Sequence, residues 1–340
     1  MKAAVIERPG QLVVRDVPDP EIGEYDALCA LLYGATCTGT DQHLIAGRFP
    51  WPVEYPTILG HESIGRVLRV GPRVRHLKVG DLVTRVGALP SAGLHVNWGG
   101  FAEYGVARDH WAMREDGRPQ AEWAGFRVNQ VLPPEIDPRA ATMFTTWRET
   151  LSYITRLGVG AGARVLVIGS GGNGLSYVTH AANLGAAVVL SGSAARAAHG
   201  RTAGAQACFD YRDPDLMAQL AAAAPEGYDF IIDAVGKEGQ LDAALPLLKA
   251  GGTVGIYGID DFGRCTINPQ RARGTFTFYN GGYDEAETHE RVTALWRQGR
   301  LRAGIWLDLE HPFPLAEIGQ AIEAVRERRM VKSLVKLTVD

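Results

Sequence analysis

Cysteine is scarce in this chain: there are four, Cys29, Cys37, Cys208 and Cys265, scattered through 340 residues. So few, so spread out, they exclude a disulfide framework and fit reduced thiols in a cytoplasmic protein. Positive charge is not in excess either. The 35 Lys and Arg against 38 Asp and Glu leave a net charge of −3, which gives no footprint for nucleic acid or an anionic membrane. No apolar run is long enough to span a bilayer, and Glu7 interrupts the N-terminus where a signal peptide would stay apolar. Internal repeats and low-complexity segments are missing as well. What is present, 46% hydrophobic and 21% charged residues, is the composition of a folded globular chain. Its length exceeds one ordinary core, so two domains are expected.

The most informative stretch is Val165-Leu166-Val167-Ile168-Gly169-Ser170-Gly171-Gly172-Asn173-Gly174. A short β-branched run reads as a buried parallel strand, and 175–184 reads as a helix. Strand, glycine turn and helix in that order form a dinucleotide-binding fingerprint. Gly169 permits the tight turn, Gly171 and Gly172 let the backbone approach a pyrophosphate, and Gly174 lets helix and strand pack closely. The phosphates then lie at the helix N-terminus, beside Asn173.

Around this motif the chain changes rhythm. Before it, strand-like runs at 3–6, 27–32, 62–70 and 82–86 are separated by turn residues, which reads as an irregular β domain. After it, strands at 165–168, 187–190, 229–233 and 253–257 alternate with helix-like stretches at 175–184, 194–203, 215–223 and 239–248. Alternation of this kind implies a parallel sheet with helices on both faces. Helices near 285–297 and 315–327 and a strand at 332–337 close the chain. The expected class is therefore α/β: a β-rich domain over 1–150, completed by 283–340, and a doubly wound dinucleotide-binding domain over 151–282.

The residue ending the second strand of such a fold meets the adenosine ribose, and an acid there favours NAD. Here that position is Gly192, between Ser191 and Ser193, with Arg196 and Arg201 close by. Small residues leave room for a 2′-phosphate and Arg pairs with it, so NADP(H) is expected over NAD(H). Ala234 and Val235 end one later strand and Gly258 another, and both turns are expected near the nicotinamide. Lys332 reads as a pyrophosphate contact or as a plain surface lysine.

The N-terminal half then carries a resemblance. Gly39-Thr40-Asp41-Gln42-His43, Ile58-Leu59-Gly60-His61-Glu62, Val79-Gly80-Asp81-Leu82-Val83 and Gly99-Gly100-Phe101-Ala102-Glu103-Tyr104 resemble the medium-chain dehydrogenase/reductase superfamily. Within it the chain looks most like the polyol, sorbitol and glucose dehydrogenase branch. The match runs nearly end to end. It implies a GroES-like β-rich catalytic domain with a Rossmann domain inserted, a homodimer or homotetramer, and a small-molecule substrate. It also implies that the Thr40 hydroxyl contacts the substrate oxygen and that His43 takes the proton.

In zinc-dependent members three protein ligands hold the ion and one position stays open. The usual set is a Cys just before G-T-D, the His of G-H-E, and a Cys or Glu ahead of the Rossmann domain. His61 and Glu62 match. An ungapped reading puts Thr38 at the first position and Thr145 at the third, and threonine is a poor Zn²⁺ ligand. Two readings stay open. The site is metal-free, with His61 and Glu62 moving protons, or a one-residue shift brings in Cys37 and Glu62 or Glu149 completes the set. A structural zinc needs four close cysteines, and 84–99 has none, so that ion is expected to be absent.

Trp51, Trp98, Trp147 and Arg148 fall near substrate-lining positions of the superfamily, and the stretch 109–129, with Trp111 and Trp123, is longer than its usual link. The expected activity is NADP(H)-linked interconversion of an alcohol and a carbonyl on a polar, cyclic or polyol-like metabolite. A metal-free site would suit reduction of a conjugated C=C or iminium instead. NADPH binding without catalysis is a third reading.

Overall fold

The computed structural model describes residues 1–91 and 93–338. These fall into two compact units, Met1–Thr145 together with the chain from His289 onward, and Thr146–Thr288. The division lies inside the helix Phe144–Leu157 and ahead of the helix His289–Arg297, not at the expected 150/151 and 282/283. The helix Phe144–Leu157 runs across the first boundary with no turn residue to mark it.

The first unit is GroES-like and β-rich. One sheet has the order Phe313–Pro314, Leu334–Lys336, Asp26–Ala35, Glu62–Val70, Leu82–Thr84, with Tyr104–Arg108 also pairing with Asp26–Ala35. A second sheet has the order Gln11–Asp16, Lys2–Arg8, Thr57–Ile58, His95–Val96. Apolar residues from both, such as Val5, Ile6, Leu31 and Ile58, are fully buried in one core together with Phe101. Two features of this packing position the site. Gly60 has φ +98°, and a Cβ there would lie 2.7 Å from the Phe101 amide nitrogen, so only glycine lets the chain turn into His61. The last strand pairs antiparallel with Asp26–Ala35, Leu334 opposite Ala35, and Thr36 N donates to Ser333 O at 3.0 Å. That register carries Lys332 to the start of the helix Thr38–Ile45.

The second unit is a six-stranded parallel sheet in the order Ala207–Asp210, Ala187–Gly192, Arg164–Ile168, Tyr228–Asp233, Leu248–Ile256, Thr277–Tyr279. Numbered along the chain this is 3-2-1-4-5-6, the doubly wound order, whose ligands lie where the strand order reverses. Its strands are near-continuous apolar runs because helices cover the sheet. The short strands Ala207–Asp210 and Thr277–Tyr279 were not visible in the sequence, and the expected helix at 239–248 shrinks to Gln240–Ala244 and a 3-10 turn.

The longer stretch 109–129 forms two short helices, His110–Glu115 and Gln120–Trp123. Asp109 caps the first by accepting from Ala112 N at 2.9 Å, and also accepts from the amides of Arg75 and His76. Ala112 and Met113 pack on Tyr25 with Trp123 beside them. No described helix is long and apolar enough to cross a membrane.

Candidate active site

In the 146–288 unit the glycine turn is shaped by missing side chains. Gly169 has φ +107°, and a Cβ on Gly174 would sit 1.8 Å from Gly169 O. A Cβ on Gly171 would meet nothing within 4 Å, so the turn is open above it. The helix Gly172–Asn183 begins there with no side-chain cap from Gly171, and a helix N-terminus favours an anion. The sheet order brings the expected neighbours together. A Cβ on Gly169 would lie 2.6 Å from Val235 Cγ2, and one on Gly258 would lie 1.9 Å from the Val235 carbonyl carbon. Ala234 lies in the same turn. At the second strand's end, Ser193 N donates to Ser170 Oγ at 3.0 Å, and Gly192 is close enough that a Cβ would strike Ser170. Ser191 is buried, and no acid stands at this point. Arg196 is buried too, its Nη1 donating to Ser170 O at 3.2 Å. These residues fit a dinucleotide carrying a 2′-phosphate: an uncapped helix start, a turn free of Cβ atoms and a guanidinium beside it.

Two expected substrate residues, Trp147 and Arg148, are fully buried within this unit. Trp147 is fully buried in the helix Phe144–Leu157, where His180 Nε2 donates to its carbonyl at 3.0 Å. Arg148 is fully buried in an ion pair with Glu285. A guanidinium held this way neutralises a buried carboxylate of its own unit, and freeing it for substrate would strand that carboxylate. Glu149, one candidate to complete a ligand set, instead accepts from the phenols of Tyr257 at 3.0 Å and Tyr283 at 3.3 Å.

The other unit gathers Cys37, Asp41, His61, Glu62 and Lys332, all buried. Asp41 Oδ2 accepts from Cys37 N at 2.8 Å, tying the helix Thr38–Ile45 back onto its first turn. Its Oδ1 lies 3.8 Å from His61 Nδ1, and neither atom has a hydrogen-bond partner among the described residues. Burial pushes the Asp41 carboxyl up to about 7 and the Cys37 thiol up to about 12. His61 is held well below its ordinary value by burial, then by the charges of Arg85 and Lys332. Lys332 overturns its expected role. Its ammonium bonds both Glu62 oxygens at 2.6 and 2.7 Å and Thr36 O at 3.1 Å, so it is neither a surface lysine nor free for a pyrophosphate. Burial alone would depress Lys332, but Glu62 and Cys37 outweigh it and raise it.

Thr40 and His43 stand three residues apart on the helix Thr38–Ile45, hence on one face. The Cys37 thiol donates to Thr40 Oγ1 at 3.6 Å. His43 Nδ1 lies 2.6 Å from Gly39 O; a carbonyl only accepts, so Nδ1 carries the proton and Nε2 is left as the base. Thr38, the ungapped candidate ligand, is exposed. Around His61 runs an aromatic wall. The Trp98 ring is 5.2 Å from the imidazole, Phe49 is 6.2 Å from Trp98, and Trp51 is 5.1 Å from Phe49. Arg85, which sequence reasoning missed, places its guanidinium 5.8 Å over Trp98. Asp41 lay inside a motif already singled out, but nothing in the sequence marked Arg85.

The donor set fits a catalytic zinc. One ligand atom each from Cys37, His61 and Glu62 lie within 4.8 Å of one another, and thiolate, imidazole and carboxylate are the donors zinc takes. Asp41 Oδ1, facing the outer nitrogen of His61, stands where a ligand histidine is usually steadied. The cluster includes Cys37, one residue before the ungapped position, and not Thr38. Glu62 is shared with Lys332, which distinguishes this set from three unencumbered ligands.

Residues 25–116 match the alcohol dehydrogenase GroES-like domain family, and residues 172–280 the zinc-binding dehydrogenase family. The chain is 26% identical to L-galactonate-5-dehydrogenase of Escherichia coli (strain K12) over 98% of both chains. It is 25% identical to D-arabinitol dehydrogenase 1 of Uromyces fabae, over 99% of this chain and 97% of that one. Among solved structures, a Sinorhizobium meliloti 1021 protein provisionally assigned as a zinc-binding dehydrogenase and bound to NADP is similar at TM-score 0.81 and 25% identity, over 98% of each chain.

Proposed function

Because the chain belongs to the medium-chain dehydrogenase/reductase superfamily, we propose that it interconverts an alcohol and a carbonyl on a polar, polyol-like metabolite, with NADP(H) as redox partner. Its relatives are dehydrogenases of the alcohol dehydrogenase type, and the chain is an oxidoreductase of that type. One observation carries the reading: Thr40 and His43 share a helix face that starts at Cys37, one donor of the Cys37–His61–Glu62 cluster.

NADP⁺, when bound, would supply the hydride acceptor, and a zinc ion held by Cys37, His61 and Glu62 would supply Lewis-acid charge. The chain's own residues do the rest. The Thr40 hydroxyl bonds the substrate oxygen and passes its proton on. His43 Nε2 receives that proton and exchanges it with water, which an imidazole does well near neutral pH. Phe49, Trp51 and Trp98 present ring faces to the C–H side of the substrate and exclude water from one flank. Lys332 pairs with both Glu62 oxygens, so the charge of that buried carboxylate is offset inside the protein. NADP(H) over NAD(H) is supported by the missing acid at Gly192, by Arg196 beside the turn, and by the NADP bound in the Sinorhizobium meliloti protein.

The test is nicotinamide-linked turnover of a panel of polyols and sugar acids by the purified chain, with metal content measured on the same sample. The expected result is oxidation faster with NADP⁺ than with NAD⁺, about one zinc per chain as in a three-ligand catalytic site with one open position, and loss of activity on chelation that zinc restores. A chain that binds NADPH tightly but turns over no alcohol and no carbonyl would overturn the proposal.

A further inference from the structure

Asp233 ends the strand Tyr228–Asp233, opposite Ile168 in the first strand of the parallel sheet and Ile256 in the fifth. Its side chain is fully buried. One carboxylate oxygen, Oδ1, accepts from Val235 N at 2.9 Å and Gly236 N at 2.8 Å, which shapes the turn after the strand. The Asp233 carbonyl accepts from Tyr257 N at 2.8 Å and Gly258 N at 3.1 Å, and Val235 O accepts from Asp260 N at 3.1 Å. Two turns at the carboxyl ends of neighbouring strands are thus fastened to each other. The other oxygen, Oδ2, is buried with no hydrogen-bond partner, and no cation pairs with Asp233 among the described residues. The charged neighbour that acts on it is Asp260, a second acid. Burial raises the carboxyl above its ordinary value, against the pull of the Gly236 and Val235 amides, which favour the ionised form. A buried carboxylate without a counter-charge is costly, and groups held in this way gather at functional sites.

We propose that Asp233 selects the redox state of the cofactor: its carboxylate favours the oxidised, cationic nicotinamide of NADP⁺ over the neutral ring of NADPH. The inference rests on the reading above, in which NADP(H) is the redox partner and the turns at Val235 and Gly258 line its nicotinamide half. Oxidised nicotinamide carries one positive charge. The hydride that leaves the substrate carbon brings two electrons and one proton to the ring and cancels that charge, while the hydroxyl proton leaves through Thr40 and His43. A fixed negative charge in this turn therefore stabilises the cofactor before transfer more than after it, and a buried site screens the attraction little. The rest of the cofactor is blind to the difference. Pyrophosphate, 2′-phosphate and adenosine are identical in both forms, so the glycine turn and Arg196 treat both alike. Asp233 has no cation of its own among the described residues, and oxidised nicotinamide supplies one. By the same difference NADP⁺ loads tightly and NADPH leaves readily, as suits alcohol oxidation.

The experiment measures dissociation constants of NADP⁺, NADPH and 2′-phospho-ADP-ribose, which lacks the nicotinamide, on the intact chain and on Asp233→Asn. Asn keeps an oxygen for the Val235 and Gly236 amides and removes the charge, and its melting temperature checks that it folds. Wild type is expected to bind NADP⁺ more tightly than NADPH. Asp233→Asn is expected to weaken NADP⁺ by about 10-fold or more, the scale of one charge pair inside a protein, and to leave NADPH and 2′-phospho-ADP-ribose close to wild type. Equal loss of NADP⁺ and NADPH in the variant would overturn the inference, because Asp233 would then only shape the turn. If the variant does not fold, the wild-type ratio decides alone: NADPH bound more tightly than NADP⁺ overturns the inference, and the reverse order upholds it. Turnover of the polyol and sugar-acid panel separates this from the reaction reading. If nothing is oxidised yet the ratio shifts in Asp233→Asn, the selector stands and the reaction reading falls. Brisk oxidation with an unchanged ratio leaves the reaction reading and removes the selector.

Discussion

The segment Gly169–Gly174 carries no ionisable side chain, whereas the cluster around His61 buries five ionisable residues: Cys37, Asp41, His61, Glu62 and Lys332. The first region is made by omission. A Cβ on Gly174 would strike the Gly169 carbonyl, one on Gly169 the Val235 side chain, and one on Gly171 would stand in the open turn, so recognition falls to a helix start. The second is made by burial. Each charge must be offset inside the protein, and Lys332 against Glu62 does most of it. The difference teaches where each region is fragile. A site made by omission fails when atoms are added. A site made by burial fails when one member of a pair is removed.

The sharpest break of this contrast is Glu62→Gln. It leaves the Lys332 ammonium buried without its carboxylate, and loss of one partner of a buried pair costs about 3–5 kcal/mol. Denaturant midpoints measure it, and the double variant Glu62→Gln/Lys332→Met is expected to recover most of the loss. If the single variant is as stable as wild type, burial does not govern this region. Next comes the addition of one methyl group in the glycine turn. Gly174→Ala drives a Cβ into Gly169 O and is expected to cost about 1–3 kcal/mol as overpacking does. Gly171→Ala meets no protein atom, so the melting temperature is expected to hold while NADPH affinity falls. The two alanines separate packing from phosphate access, and equal effects of both on stability would blur the comparison.

A smaller effect belongs to His110, at the start of the helix His110–Glu115. Burial lowers this imidazole to about 4, while an unfolded histidine takes its proton near about 6.5. Between those values the unfolded chain binds the proton and the folded chain does not. The stability His110 contributes is therefore present above about 6.5 and is lost as pH falls through the window. Urea midpoints across this range are expected to fall less steeply in His110→Phe.

The two regions also differ in how far the sequence revealed them. The glycine turn is local, and its backbone requirement is written in consecutive residues; the α/β alternation around it was equally plain. The buried cluster draws on residues 37, 61, 62 and 332, and its register depends on an antiparallel pairing of Leu334 with Ala35 that no short motif announces. That is why Lys332 read as a phosphate contact. Cys37 was displaced from the motif position by one residue, and only the helix start at Thr38 shows that it, not the threonine, turns inward. Trp147 and Arg148 read as substrate residues because they neighbour a motif position, yet they sit on the buried faces of the helix Phe144–Leu157. Arg85 was silent because no short motif announces a positive backbone angle.

The most direct test of the division of labour is NADPH affinity and turnover measured on one preparation of His43→Ala. The account expects kcat to drop by about 100- to 10,000-fold, the range for loss of a general acid–base group, while the NADPH dissociation constant stays within about twofold, since the nucleotide turn is untouched. Turnover close to wild type would contradict it, because the proton would then leave the substrate by a route that does not use His43.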